Sequence, residues 1–166
     1  MGRNAALYTA LLLVLCGGAP VRADDAEQQF GRGLSAFNAG DFAAALDAWT
    51  PLADSDDPRA EAGLGFMYHR GLGVTLDDDK AALWLRRAAE QGQAEGQLML
   101  GILYFYGTGV PQSYAHAYAW CELAADYGQS DAEMCRDAAL QSMTGDDQTK
   151  GFGLLTDLRE RYGRKR

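Results

Sequence analysis

Residues 57–92 laid on residues 93–128 match at a constant offset of 36, and eleven of those 36 positions are identical. A composition rich in alanine and glycine would give about two to four by chance. The identities include Leu64/Leu100, Gly65/Gly101, Tyr68/Tyr104, Gly71/Gly107, Gly73/Gly109, Val74/Val110, Trp84/Trp120 and Gly92/Gly128. A period of this length marks stacked supersecondary units, because one unit cannot bury its apolar face alone. That narrows the fold before any other property is considered.

Each unit reads as two helices. The first, helix A, is expected over about 60–70 and 96–106, with Leu64, Met67, Tyr68 and Leu100, Leu103, Tyr104 at the i, i+3, i+4 spacing of one buried stripe. It stops at Gly71 and Gly107. The segments Gly71-Leu72-Gly73-Val74 and Gly107-Thr108-Gly109-Val110 can take the positive φ values a reversing chain needs. Helix B then starts from an N-cap, Asp77 or Ser113, and carries Ala81, Trp84, Ala88 or Ala117, Trp120, Ala124 inward. Gly92 and Gly128 end it. Residues 24–56 form a shorter pair without the Gly-x-Gly-Val loop, closer to a tetratricopeptide unit. Residues 131–143 and about 147–162 form a last, weaker pair within a capping segment over 129–166, where Arg136, Asp137, Asp146 and Asp147 are expected to face water. Gly151 and Gly153 lie inside its final helix, where glycine is unfavourable.

The pattern Leu-Gly-x-Met-Tyr-x-x-Gly-x-Gly-Val, followed by Ala-x-x-Trp-x-x-x-Ala-Ala-x-x-Gly, resembles the Sel1-like repeat, a relative of the tetratricopeptide repeat. Residues 57–92 and 93–128 fit two full repeats, and the flanks fit loosely. The stretch from Ala117 to Thr144 also looks like the ending of many bacterial Sel1-like proteins, except that Gly145-Asp146-Asp147-Gln148 stands where Pro-x-Gln usually follows the threonine. The resemblance implies an all-α, right-handed αα superhelix with helix A on the concave side, and a role in assembling other macromolecules. A penicillin-hydrolysing or penicillin-binding activity, attributed to cysteine-rich relatives, makes a β-lactamase-like or peptidoglycan-related enzyme the alternative. Regulation of a membrane sensor from the periplasm is another.

At the N-terminus, Arg3 precedes an apolar run from Ala5 to Cys16, broken by Gly17 to Pro20. That order is a secretory signal peptide over residues 1–23, with Val21-Arg22-Ala23 as the cleavage site. The run is shorter than the roughly 20 residues a bilayer span needs, so no stable membrane insertion is expected after processing. Leu13-Val14-Leu15-Cys16 resembles a lipobox, but Leu15 is larger than lipidation prefers. The expected location is periplasmic or secreted. Cleavage removes Arg3 and Arg22 but no acid, leaving 13 basic against 23 acidic residues, a net charge of −10. Such a field repels nucleic acid and anionic lipid. The exception is the basic C-terminus, Arg159, Arg161, Arg164, Lys165 and Arg166, read as a helix end with favourable cations.

Chemistry-bearing motifs are scarce. His69 and His116 lack a second ligand at i+3 or i+4 and read as surface positions, so no metal is expected. Asp77-Asp78-Asp79 lacks the spacing of a calcium loop and reads as a helix start. No Ser-x-x-Lys, phosphate loop or nucleophile elbow appears, so no catalytic residue and no cofactor are expected. A protein partner remains. If Leu64, Met67 and Tyr68 face the stack, then Phe66, Arg70, Met99, Ile102 and Tyr106 lie on another face, as a groove for a peptide or helix. The plain alternative is that Phe66 and Ile102 belong to a broad core stripe. Cys121 and Cys135 lie seven residues either side of Gly128, at one height in an antiparallel pair, and export would favour their oxidation. They also align with Leu85 and Met99, as two small buried apolar residues would.

Overall fold

The computed structural model describes residues 23–163, so residues 1–22 of the expected signal peptide, Cys16 among them, and the tail Arg164-Lys165-Arg166 lie outside the described residues. Eight helices and no strands occur among them: α1 (Ala23–Asn38), α2 (Phe42–Asp54), α3 (Pro58–Arg70), α4 (Asp78–Glu90), α5 (Ala94–Tyr106), α6 (Tyr114–Asp126), α7 (Ala132–Ser142) and α8 (Gly145–Tyr162). The chain is an αα solenoid. Hairpins α1–α2, α3–α4 and α5–α6 stack in order, and α3 also meets α5 while α5 meets α7, so the A helices form one continuous side.

The local signals act where the sequence puts them. Asp77 and Ser113 accept from the backbone N–H groups of Lys80 and His116, and Gly71 and Gly107 close α3 and α5 with φ of 64° and 71°. Both A helices begin two residues earlier than the apolar stripe suggests. Asp57 caps α3 ahead of Pro58, and the Gln93 side chain accepts from Gly96 N–H at 2.6 Å. Cap chemistry rather than hydrophobic period sets the start.

The hairpins interlock at one repeated position. A Cβ placed on Gly33, Gly65 or Gly101 of the A helices would come within 2.3–2.5 Å of Trp49, Leu85 or Cys121 of the paired B helix. Each A helix gives up a side chain to receive one, which brings the two axes close. Helix A of the first unit therefore aligns at an offset of 32 (Gly33 to Gly65), helix B at 36 (Trp49 to Leu85). The four-residue difference is the loop the first hairpin lacks.

The second glycine of each loop serves the stacking between hairpins. Gly73 lies against Phe42 at the start of α2, and Gly109 so close to Asp78 at the start of α4 that a Cβ would fall 2.0 Å from the Asp78 carbonyl oxygen. The last pair departs from the rule. α8 packs on α6, and buried Gly151 makes this possible, since a Cβ there would meet the Met143 methyl at 2.6 Å and Tyr118 at 3.3 Å. An interior helix glycine that costs propensity is retained for close approach.

Candidate functional site

The side built by the A helices holds two apolar grooves. The first, about 530 Å³, lies between α1 and α3 and reaches the start of α5. Its floor is Trp49, 4% exposed, whose indole N–H donates to the Phe30 carbonyl at 3.3 Å. The Trp49 ring stacks on Phe30 and Phe37 with centroids 5.8 and 5.6 Å away, and Phe66 meets Phe37 edge-on at 5.9 Å. Gly63 leaves room for the indole from the α3 side. Leu34, 44% exposed, forms the open lip, and the Arg59 guanidinium lies 4.5 Å from the Phe30 ring centroid. The second groove, about 370 Å³, lies between α5 and α7, with Ile102, Phe105 and Tyr106 on one wall and Met134, Cys135 and Ala138 on the other. Tyr106 and Met134 are each 70% exposed.

The two grooves are equivalent constructions. Leu34, Phe37 and Asn38 of α1 occupy the helix positions that Ile102, Phe105 and Tyr106 occupy in α5, and Arg59, Ala62, Gly63 and Phe66 of α3 correspond to Asp131, Met134, Cys135 and Ala138 of α7. At the corresponding positions of α5, Leu98, 4% exposed, packs with Cys121, Ala124 and Ala132, and half-buried Met99 packs against the cluster that holds Leu85 and Leu100.

Of the five residues expected on one binding face, Phe66 lines the first groove, Ile102 and Tyr106 line the second, Arg70 is exposed but belongs to neither wall, and half-buried Met99 packs against the Leu85 and Leu100 cluster. Ile102 serves both descriptions, since it also packs on the small cluster around Leu98, Cys121 and Ala132. Reading the repeat at 36 alone hides Leu34 and Phe37; aligning Gly33 with Gly65 would have found them.

Cys121 and Cys135 are bonded, with Cα atoms 5.9 Å apart, joining α6 to the α7 wall of the second groove. The position has a common logic. Trp49 faces Gly63, Leu85 shares a cluster with Met99, and Cys121 bonds Cys135, so a B-helix side chain meets complementary volume on the following A helix each time.

The histidines are not bare surface groups. His69 Nδ1 lies 2.7 Å from Asp78 Oδ1, within hydrogen-bond distance, which gives that acidic run a contact to α3 beside capping. His116 stacks on Tyr104 at 4.7 Å with Nδ1 2.9 Å from Ser113 Oγ, and burial, aided by nearby Arg86, holds its pKa below the ordinary value. Arg136, expected to face water, pairs with Glu122 at 3.2 Å and Asp137 at 2.8 Å. Among the described residues no three His, Cys, Asp or Glu side chains come together as metal ligands, and no helix is long and apolar enough to cross a membrane.

A family model described as the Sel1 repeat matches residues 58–93 and 94–128. A protective antigen of uropathogenic Escherichia coli strains, displaying an SLR fold, is similar in structure, with a TM-score of 0.80 and 29% identity over 84% of this chain. A Sel1 repeat protein from Oxalobacter formigenes is similar with a TM-score of 0.63 and 27% identity over 78% of this chain. The chain spans 31% of the first and 54% of the second. No curated protein matches it.

Proposed function

We propose that this chain, which carries two Sel1 repeats of a fold that commonly serves as a protein-interaction scaffold, is a non-catalytic adaptor that docks an apolar polypeptide segment on its A-helix side. The observation that carries this is the first groove. A groove lined by the aromatic rings of Phe30, Phe37, Trp49 and Phe66 stays open to solvent behind an exposed Leu34. Apolar surface left open beside a well-packed core is the mark of a docking site. Supporting the location, the signal-like start and the Cys121–Cys135 bond both suit an oxidising, exported setting.

A photoreactive amino acid at Leu34 is expected to yield a discrete adduct in intact cells, and the same group at Leu83, 58% exposed on helix B, to yield none. Identical adducts from both positions would refute groove docking. Mass spectrometry of the purified protein should find a chain beginning at Asp24; a retained N-terminus would overturn export with cleavage.

A further inference from the structure

The N-terminal ends of the A helices carry a column of charges at equivalent positions: Glu27, Arg59, Glu95 and Asp131. Arg59 is the one cation, and it is taken up by Glu27 at 2.5 Å and Asp57 at 3.0 Å. Glu95 stands in the first groove and Asp131 in the second, and neither has a cationic partner among the described residues; Glu95 only accepts from the Gln129 amide at 2.6 Å. Each apolar groove therefore ends in a carboxylate outside the ion pairs of the described residues, and the Arg59 that also lines the first groove is engaged by Glu27 and Asp57. The grooves come from equivalent positions of successive A helices, so they open on the same side of the solenoid.

Building on the docking reading above, we propose that one extended polypeptide segment occupies both grooves, with two bulky apolar anchors and a lysine or arginine beside each to meet Glu95 and Asp131. The grooves are two A helices apart. At about 8–10 Å per packed helix the separation is about 16–20 Å, which an extended chain covers in about five or six residues. A slim extended chain reaches both grooves along this side more closely than a helix about 10–12 Å wide. Charge selects against a second copy of this chain, since a net −10 outside the signal segment opposes two such surfaces meeting at carboxylates.

The test uses the protein expressed as its full chain, purified as the cell leaves it, and fluorescently labelled synthetic peptides. These carry one or two tryptophan anchors, spaced two to nine Gly/Ser residues apart, with lysine or glutamate next to each anchor. Two-anchor lysine peptides at a spacing near five or six should bind at least about tenfold tighter than one-anchor peptides. Their advantage over glutamate peptides should also reach about tenfold at about 0.01 M salt and collapse near 1 M, as the screening length falls from about 30 to 3 Å. Glu95→Gln with Asp131→Asn should remove the lysine preference. Leu34→Ser or Tyr106→Ser, both at exposed positions, should remove the two-anchor advantage. Equal binding of lysine and glutamate peptides, or of one and two anchors, would overturn the proposal and leave groove docking standing. Failure of every peptide to bind would sink the docking reading itself. Self-association abolished by Leu34→Ser would place a second copy in the groove and overturn the proposal.

Discussion

Glu61 and Gln97 occupy the same position in two repeats, both fully buried, and show how one site tolerates an acid or its amide. Gln97 donates to the Ala89 carbonyl at 3.2 Å while its own Oε1 has no partner. Glu61 accepts from the Gln91 amide at 2.7 Å, and its Oε1 lies 2.8 Å from Arg87 Nε, close enough for an ion pair without an aligned hydrogen bond. Burial pushes the Glu61 pKa above its ordinary value against the pull of Arg87 and Gln91. A raised carboxyl pKa means the folded state holds its proton more tightly. Its stabilising effect is then full below the unfolded pKa and is lost as pH rises through the folded value. Asp57 is shifted the other way by Arg59 and helix N–H groups, burial opposing, and contributes stability that is lost on acidification. Glu61→Gln should therefore compare best with the parent near pH 7 and fall progressively behind as pH drops below the raised Glu61 pKa, followed by urea unfolding from pH 7 to pH 4. A constant difference across that range would contradict the assignment. Arg87→Ala strands the Glu61 carboxylate and should cost about 2–3 kcal/mol, below the figure for a wholly buried pair because Arg87 is 37% exposed.

Among the elements, the Gly-x-Gly-Val loop decides how hairpins stack. Gly71 and Gly107 perform a task visible in the sequence, since a left-handed residue after a helix is a local requirement. The task of Gly109 is partly hidden, because the atom it avoids belongs to Asp78, 31 residues earlier. Gly109→Ala combines strain at φ 65° with a backbone collision, and should cost about 2–4 kcal/mol in thermal or urea unfolding. Gly40→Ala, also at positive φ but with open space around it, should cost only about 1 kcal/mol. Equal losses would show that conformation alone matters at Gly109. The last helix was the least legible element. Its Thr144 start carries a capping box with Asp147, and Arg159 anchors its end to Asp126 and Glu122 at 2.6 and 3.2 Å.

For the whole molecule, a solenoid passes stability mainly between neighbours. The Cys121–Cys135 bond closes a loop of about 15 residues, worth about 3 kcal/mol in the chain-entropy model. Reduction is expected to lower stability by about that amount. Amide exchange should quicken through α7 and α8 while α1 to α3 stay unchanged; uniform acceleration would mean that the chain opens as one unit.

Helix pairs, their caps and their turn glycines were determined by the sequence itself, because each rests on interactions within a few residues: an N-cap, a left-handed stop, an apolar stripe at helical period. The repeat even placed Phe66, Ile102 and Tyr106 on a common face. Only the tertiary structure decided that Met99 packs against the Leu85 cluster, that the face carries two grooves, and that Trp49 is the floor of the first. Whether a cleft between A helices is open depends on the summed volume that two helices and a preceding B helix bring to one place. Those contributions come from residues distant in sequence: Gly63 makes room for Trp49, 14 positions earlier, at the floor of the first groove, whereas Met99 packs against the cluster of Leu85, also 14 positions earlier. Close packing makes that sum decisive, and no local pattern contains it.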